Sequence, residues 1–413
     1  MFVSDLALDW FRSYRQVVAH FSNGPNILVG SNGRGKTNLL EALNYLAVLA
    51  SHRIGTDAGL IFTPTSDSSS VISAAHAGVI RGRVHRGSRA ADDQTNGELL
   101  EIELMAGRAN RAMINRHNVR PRALLGHLST VLFAPEDLQL VQGDPATRRT
   151  FLDRIAIQLR PTLAGTLSEY TKVARQRGAY IKDLAKRRAP IDEIQLSIWD
   201  DALVPAAVEI MSERARVVSL LGAHLPQVYA RIAGHDAPVG LTYADSVTKT
   251  LDLPPDERQK LWSDPELLTA MFRQALQSHR ADEARRGVNL VGPHRDELEL
   301  HLNSLPVKGF ASHGESWSYA LSLRLAEFCL LRESFSDAPV LLLDDVFAEL
   351  DEQRRAALLW AITQADQVFI TSATGTEIPA ELHGTFYRVT MDPQTRQSSV
   401  ETLGEGMAAE VLP

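Results

Sequence analysis

The chain of 413 residues lacks the features that mark exported and membrane proteins. It has a single cysteine, Cys329, so no internal disulfide can form. Residues 1–9 contain two acids and no basic segment, which argues against a cleavable export signal. No apolar run approaches the roughly 18 residues that a membrane span requires. We therefore expect a soluble, cytoplasmic protein in which the cysteine is a core residue.

The composition excludes fibrous and wholly disordered proteins. Hydrophobic residues make up 44% and charged residues 23% of the chain, which is the usual mix of soluble globular proteins. The length suits two or three packed units rather than one. The formal net charge is −7, so a surface that binds a polyanion would have to be local.

Positive charge is concentrated in two stretches of this acidic chain. Residues 148–188 hold eleven Lys or Arg against three acids, and residues 104–122 hold five arginines and no acid. Most charge runs are solvated helix faces. Their concentration in two places favours a surface that contacts nucleic-acid phosphates. The candidates in the first stretch are Arg154, Lys172, Arg175, Arg177, Lys182, Lys186, Arg187 and Arg188.

Hydrophobic periodicity predicts an α/β unit built from both ends of the chain. The expected strands are 2–8, 16–21, 26–29, 298–302, 340–343 and 367–372. The expected helices begin at Lys36 and span 314–333, and a loosely ordered tail is expected from about residue 404.

The middle of the chain has long amphipathic stretches, which predict a mostly helical insertion. These stretches lie near 151–188, 193–235 and 256–283, and exposed turns are expected at 64–69 and 86–97. The predicted division is an α/β domain of residues 1–147 plus 286–413 and a helical second domain of residues 148–285.

Residues 30–37 (Gly-Ser-Asn-Gly-Arg-Gly-Lys-Thr) match the phosphate-loop pattern G-x-x-x-x-G-K-[ST] without a mismatch. Backbone N–H groups and the helix dipole would hold phosphate there. Lys36 would reach the β and γ phosphates, and the Thr37 hydroxyl would ligate Mg²⁺. The plainer alternative is a glycine turn that caps a helix. The predicted nucleotide-binding residues are Gly30, Ser31, Asn32, Gly33, Arg34, Gly35, Lys36, Thr37 and Asn38.

Two acids, Asp344 and Asp345, end a continuous apolar run that is typical of a central parallel strand. In such strands the first acid usually holds Mg²⁺, and the second can orient or deprotonate the attacking water. Plain termination of a strand at the solvent would also explain the pair. Beside a phosphate loop, the pair favours ATP hydrolysis, with Lys36, Asp344 and Asp345 as catalytic residues and Thr37 and Asp344 at the metal.

Ser312-His-Gly-Glu315 opens the predicted helix 314–333 and is a capping box, which is a sufficient structural explanation. The alternative is that Ser312 and the Gly314 amide meet the γ-phosphate of a nucleotide held by a second subunit.

Together these motifs resemble the ATP-binding-cassette superfamily and, within it, the heads of the SMC-like DNA repair proteins. Three stretches resemble the RecF family in detail: 133–138 with 143–153, Gly292-Pro-His-Arg-Asp296, and Leu341 to Asp351. The resemblance spans nearly the whole chain. It implies the α/β fold of an ABC-type ATPase head, a P-loop mixed sheet with helices, with a mostly helical inserted second domain.

The resemblance also implies an ATP-dependent homodimer that clamps DNA and is a weak, DNA-stimulated ATPase. Two heads would sandwich ATP and Mg²⁺, with Ser312, Gly314 and Glu315 acting on the partner's nucleotide and Asp351 at the subunit interface. Such proteins act with RecO and RecR to help RecA displace single-strand-binding protein at gaps, in repair, replication restart and the SOS response. The signature Ser-His-Gly-Glu-Ser-Trp317 departs from the family's Ser-Gln-Gly-Gln-Gln-Arg.

Two other classes share the phosphate loop and the acid pair. A transport-type ATPase subunit normally has a far shorter insertion and a membrane partner. A nucleotide-gated scaffold would use ATP for dimerisation, with incidental turnover that DNA does not stimulate.

Overall fold

A computed structural model describes residues 1–62, 77–87, 97–187, 190–379 and 382–407. The predicted turn at 64–69 and most of the one at 86–97 lie outside these residues. The chain divides into two compact units. The first comprises Met1–Asp137, Val228–His235 and Ser318–Pro413, and the second comprises Leu138–Gln227 and Asp236–Trp317.

The strands and helices follow one another in an order that begins and ends with strands. The strands are β1 Phe2–Phe11, β2 Tyr14–His20, β3 Gly24–Val29, β4 Ala77–His85, β5 Glu98–Met105, β6 Arg111–Ile114, β7 His117–Val119, β8 Thr130–Phe133, β9 Val239–Ala244, β10 Glu297–Leu302, β11 Leu305–Pro306, β12 Val340–Leu343, β13 Gln367–Ser372, β14 His383–Met391 and β15 Ser398–Met407. The helices are α1 Lys36–Val48, α2 Leu138–Gln142, α3 Pro145–Leu159, α4 Leu163–Arg187, α5 Glu193–Ala233, α6 Ser246–Thr250, α7 Pro255–Ser263, α8 Pro265–Arg286, α9 Val307–Phe310, α10 His313–Ser334 and α11 Glu352–Gln364.

The first unit contains two six-stranded sheets. One has the order β15-β14-β3-β13-β12-β8, in which β14 to β8 are parallel and β15 is an antiparallel edge. The other is antiparallel, with the order β2-β1-β4-β5-β6-β7. Helix α1 contacts strands of both sheets, and a single apolar core includes all three. The helix that follows the phosphate loop is therefore held on two sides.

The second unit contains most of the predicted helical stretches and a small sheet of order β11-β10-β9. Pro161 lies in the break between α3 and α4. None of the helices in the described part of the chain is long and apolar enough to cross a membrane.

The unit boundaries differ from the predicted ones. The second unit begins at Leu138 and ends at Trp317, instead of spanning 148–285. The reason is that β10 pairs antiparallel with β9, so the strand expected in the α/β domain is part of the second unit. Sequence spacing gave no sign of this pairing.

All six predicted strands and both predicted helices are present, with small differences at their ends. The tail is the clearest difference. Pairing with β14 keeps β15 extended as far as Met407, so residues 404–407 are a strand rather than a loose end.

Candidate nucleotide-binding site

The loop of residues 30–35 joins β3 to α1 at the carboxyl edge of the parallel sheet. Its glycines are required for two different reasons. A Cβ at Gly30 would lie 2.2 Å from the Val389 carbonyl oxygen. Gly35 has a φ of 108°, where a side chain is strained, and its Cβ would lie 2.6 Å from Ser398 Oγ. Close packing and a left-handed backbone together fix the course of the loop.

Residues from distant strands hold the loop by hydrogen bonds that the sequence did not reveal. Tyr14 Oη donates to the Gly35 carbonyl oxygen over 3.1 Å, and Ser398 Oγ donates to the Arg34 carbonyl oxygen over 2.6 Å. Asn38 Nδ2 donates to Ser13 Oγ over 2.8 Å. The loop is thus pre-shaped by the β1–β2 turn and by the edge strand β15.

Lys36 lies inside the loop rather than on its surface. Its side chain Nζ donates to the Gly30 carbonyl oxygen over 2.6 Å, and only 3% of the residue is exposed. The ammonium group is therefore already held where a bound phosphate would need a cation. A cavity of about 490 Å³ borders the same loop at Gly30, Ser31 and Arg34.

The structure brings the phosphate loop and the acidic strand end into contact. Thr37 Oγ1 donates to Asp344 Oδ1 over 2.9 Å, and Thr371 Oγ1 lies 2.8 Å from the same oxygen. Burial raises the pKa of Asp344 to about 6, with a smaller contribution from Asp345 and Glu136. A buried carboxylate with an elevated pKa is suited to a cation, because a cation would restore its charged form.

Asp345 faces a separate small cavity next to this contact. Its φ of 49° places it in the left-handed region, and its backbone N donates to Thr371 Oγ1 over 2.8 Å. The cavity holds about 200 Å³ and is also bordered by Asn32, Glu349 and Glu377. The second acid is thus positioned at a space large enough for a water molecule and a phosphoryl group.

Glu377 is a site residue that sequence reasoning missed. Its carboxylate accepts hydrogen bonds from Ser372 Oγ over 2.5 Å and from Thr374 Oγ1 over 3.0 Å. The Ser372 bond lowers the pKa of Glu377, and the charge of Lys36 adds to this effect. The only signal in the sequence was its position shortly after the end of core strand β13.

Two oxygens at this edge fit a magnesium ion: the Thr37 hydroxyl and the Asp344 carboxylate. Among the described residues, no three or more His, Cys, Asp or Glu side chains converge as a metal-binding group. Mg²⁺ at a phosphate site uses few protein ligands, since water and phosphate oxygens complete its octahedron. The Thr37 hydroxyl and the Asp344 carboxylate form such a small set of protein ligands.

The predicted signature segment forms a capping box. The Ser312 backbone N donates to Glu315 Oε2 over 2.8 Å, and the Glu315 backbone N donates to Ser312 Oγ over 3.2 Å. Ser312 is exposed at the start of α10, and Gly314 follows it in the first turn. Asp351 is also exposed and caps α11 by accepting from the Arg354 backbone N over 2.9 Å.

Most of the predicted nucleic-acid contacts are exposed on α4. Lys172, Arg175, Lys182 and Lys186 are spaced so that they lie on one face of the helix, and we name them the α4 basic face. Arg187 is exposed and forms an ion pair with Asp183, and Arg154 is half-buried. Arg188 lies outside the described residues.

The prediction that Arg177 contacts nucleic acid is wrong. Its side chain is fully buried and bonds Asp200 Oδ1 at 2.8 Å, Glu283 Oε2 at 2.7 Å and Asn289 Oδ1 at 2.7 Å. A signal was present in the sequence. Arg177 lies four residues after Val173 and four before Ile181, which is the spacing of a buried helix face.

The stretch Gly292–Asp296 has a packing role in the second unit. Asp296 accepts hydrogen bonds from Tyr243 Oη over 2.5 Å and from the Ser246 backbone N over 2.8 Å. His294 Nδ1 lies 2.6 Å from Tyr170 Oη, and burial lowers the pKa of His294 to about 4, so the ring is neutral. These bonds tie the stretch to β9, α6 and α4.

Comparison with known proteins agrees with this geometry. The family model described as RecF/RecN/SMC N terminal domain matches residues 2–398. A protein of Frankia alni described as DNA replication and repair protein RecF is 44% identical over 402 residues, covering 96% of this chain and 100% of the relative. The protein with the same description from Beutenbergia cavernae is 42% identical, covering 93% of this chain and 96% of its own.

Solved structures show the same fold. A structure of the recombination mediator protein RecF-ATPrS in the RecFOR pathway has a TM-score of 0.82 at 23% identity, with 98% of each chain covered. A head domain of Smc bound to the C-winged helix domain of ScpA has a TM-score of 0.54 at 16% identity, again with 98% coverage of each chain. The fold and site define an ABC-type ATPase head. Within that class, the chain belongs to the RecF family.

Proposed function

We propose that this protein is an ATP-dependent DNA clamp of the RecF recombination-mediator pathway, which dimerises when ATP binds. The observation that carries the proposal is the 2.9 Å hydrogen bond from Thr37 to Asp344, because it places the loop and the acid where one nucleotide would meet both. The relatives are described as DNA replication and repair proteins, and a solved structure of 0.78 TM-score is described as RecF-ATP in the RecFOR pathway.

Each residue of the site has a defined part in ATP hydrolysis. The loop amides of residues 30–37 bind the phosphates, and Lys36 exchanges the Gly30 carbonyl for phosphate oxygens. Asp345 accepts a proton from a water molecule that attacks the γ-phosphorus, and the bond to the β-γ bridging oxygen breaks to release ADP and phosphate. Thr37 and Asp344 would hold Mg²⁺, which would supply positive charge to neutralise the phosphates.

Two exposed segments would act across the dimer. Ser312, Gly314 and Glu315 offer a helix N-terminus to the nucleotide of the other subunit. Asp351 would lie at the subunit interface. The exposure of Ser312 and Asp351 supports both roles.

The α4 basic face would hold single-stranded, gapped or duplex DNA through its phosphates. It carries four cations and no aromatic side chain, so binding would depend on salt and hardly on sequence. Such a clamp would work in the cytoplasm with RecR and RecO and promote loading of RecA at gaps in DNA.

The test is to measure ATP hydrolysis and molar mass together, with and without DNA. A clamp shows monomers in ADP, dimers in ATP and faster hydrolysis when DNA is added. Dimers in ATP with hydrolysis that DNA does not change would instead indicate a nucleotide-gated scaffold. Monomers under all conditions would contradict both.

A further inference from the structure

A groove in the second unit carries positive charge that the α4 basic face does not include. It has a volume of about 840 Å³ and lies among β9, α6, α8 and the end of the 292–296 stretch. Lys249, Arg258, Arg286 and Arg295 line it. Lys249, Arg286 and Arg295 are exposed, and neither Lys249 nor Arg286 forms an ion pair with a described residue.

Two of the four acids that line the groove are neutralised by arginines outside its lining, which leaves two acids against the four lining cations. Glu297 is the clearest case, since both of its carboxylate oxygens accept hydrogen bonds from Arg148. Arg285 pairs with Asp282, whereas the buried Asp245 caps α6 and Glu299 has only His301 at 3.8 Å. The unpaired charge of the groove is therefore positive.

The groove lies beside one end of the α4 basic face. Gly287 ends α8 in the left-handed conformation, and a Cβ there would lie 3.4 Å from Lys182 Cα and 3.3 Å from Ala185 Cβ. Arg286 precedes this glycine and lines the groove, so the groove comes close to the α4 basic face near Lys182. On α8, Arg280 bonds Asp200 of α5 and does not line the groove.

The shape and lining of this surface favour a linear polyanion. An extended row of cations suits a chain of phosphates at regular spacing, whereas a small anion would need only one of them. A peptide groove usually offers apolar anchor pockets, and the lining here is mostly charged or hydroxyl-bearing.

We propose that Lys249, Arg286 and Arg295 form a second phosphate-contact site that extends the α4 basic face and binds the backbone of nucleic acid. This inference rests on the proposed DNA-clamp function. It adds three contact residues and a path for the nucleic acid. The nucleic acid crosses from α4 over the end of α8 into the groove.

The test uses the full-length protein with ATP, a fluorescently labelled DNA duplex and a labelled poly-glutamate peptide. Anisotropy titrations over a series of salt concentrations compare the wild type, the double variant Lys249→Glu/Arg286→Glu and the control Lys260→Glu. Lys260 is an exposed lysine of α7 that does not line the groove. Lys249 and Arg286 are on the surface, so the melting temperature should not change.

We expect the double variant to lose about tenfold or more in duplex affinity at low salt, while Lys260→Glu stays within about twofold. The slope of log affinity against log salt should fall by about two, since each lost phosphate contact removes about 0.9. An unchanged slope and affinity would overturn the groove site alone. Loss of poly-glutamate binding with unchanged DNA binding would overturn it in favour of an acidic peptide. A wild-type protein that does not bind DNA at all would contradict the proposed function itself.

Discussion

The Thr37 hydroxyl donates a 2.9 Å hydrogen bond to the Asp344 carboxylate across 307 positions of the chain. Thr371, at the end of the intervening strand β13, bonds the same carboxylate. The first turn of α1 and the ends of two strands therefore meet at one acid, whose pKa is raised by burial to about 6. The charged form of Asp344 therefore destabilises the folded chain unless a cation is bound beside it.

Asp344→Asn should stabilise the protein without nucleotide at pH 8. The pKa of this acid is higher in the folded than in the unfolded chain, so its stabilising effect is present at low pH and is lost as pH rises toward 6. Above that pH the charged form costs on the order of 3 kcal/mol, which asparagine avoids. Thermal melting at pH 5 and pH 8 should show a larger advantage of the variant at the higher pH.

The exposed Glu352→Gln is the matched control for this experiment, because it removes the same charge at the surface. If Asp344→Asn melted at the same temperature as the wild type at pH 8, the charged carboxylate would not destabilise the nucleotide-free protein.

Lys36→Ala should abolish ATP-driven dimerisation while leaving the fold intact. The variant removes the buried ammonium group of the phosphate loop, which bonds the Gly30 carbonyl. Light scattering with ATP should give the monomer mass, and circular dichroism should match the wild type. A Lys36→Ala protein that dimerises in ATP as the wild type does would contradict the sandwich model.

Glu377→Gln should tighten ATP binding several-fold. The carboxylate faces the cavity beside Asp345 and is close enough to Lys36 for their charges to interact, so it repels an arriving phosphate. Glutamine keeps the hydrogen-bonding shape and removes the charge. Titration with a fluorescent ATP analogue would measure the change, and Glu352→Gln again serves as the control. Equal or weaker affinity in Glu377→Gln would show that this charge does not oppose the nucleotide.

Arg175→Ala should lower DNA affinity and Arg177→Ala should lower stability, although the two residues are only two positions apart on α4. Arg177→Ala leaves Asp200 and Glu283 buried without their shared cation, which costs roughly 3–5 kcal/mol of folding free energy. Arg175→Ala should change stability by less than about 0.5 kcal/mol, because the residue is exposed. It should instead lower DNA affinity and reduce the salt slope by about one. Chemical denaturation and DNA titration of both variants would check this, and a reversed pattern would exclude the α4 basic face.

Local sequence patterns were sufficient for the loop and the strands of the ATPase head. The phosphate loop, β12 and β13 were predictable because glycine spacing and continuous apolar runs are properties of short segments. The resemblance of these motifs to the RecF family then linked the phosphate loop with the acidic end of β12, which hydrophobic periodicity alone could not connect. The roles of Ser312, Gly314, Glu315 and Asp351 across a dimer stay predictions.

Other features depend on contacts between distant segments, and the sequence did not reveal them. Ser398 supports the phosphate loop from an edge strand, and Glu377 reaches the site from a loop with no motif. The pairing of β10 with β9 is of the same kind, because β9 lies far earlier in the chain.

Arg177 is a different case. Its charge suggested a surface residue, whereas its spacing from Val173 and Ile181 indicates a buried helix face.

The order of strands in the parallel sheet has a consequence for synthesis of the protein. Strand β3, which precedes the phosphate loop, lies between β13 and β14, so both of its neighbours are translated more than 300 residues after it. A nascent chain on the ribosome therefore holds this strand without its neighbours until β13 and β14 have been made. Contacts of such long range form slowly and leave apolar strands uncovered meanwhile, so we expect chaperones to engage the growing chain.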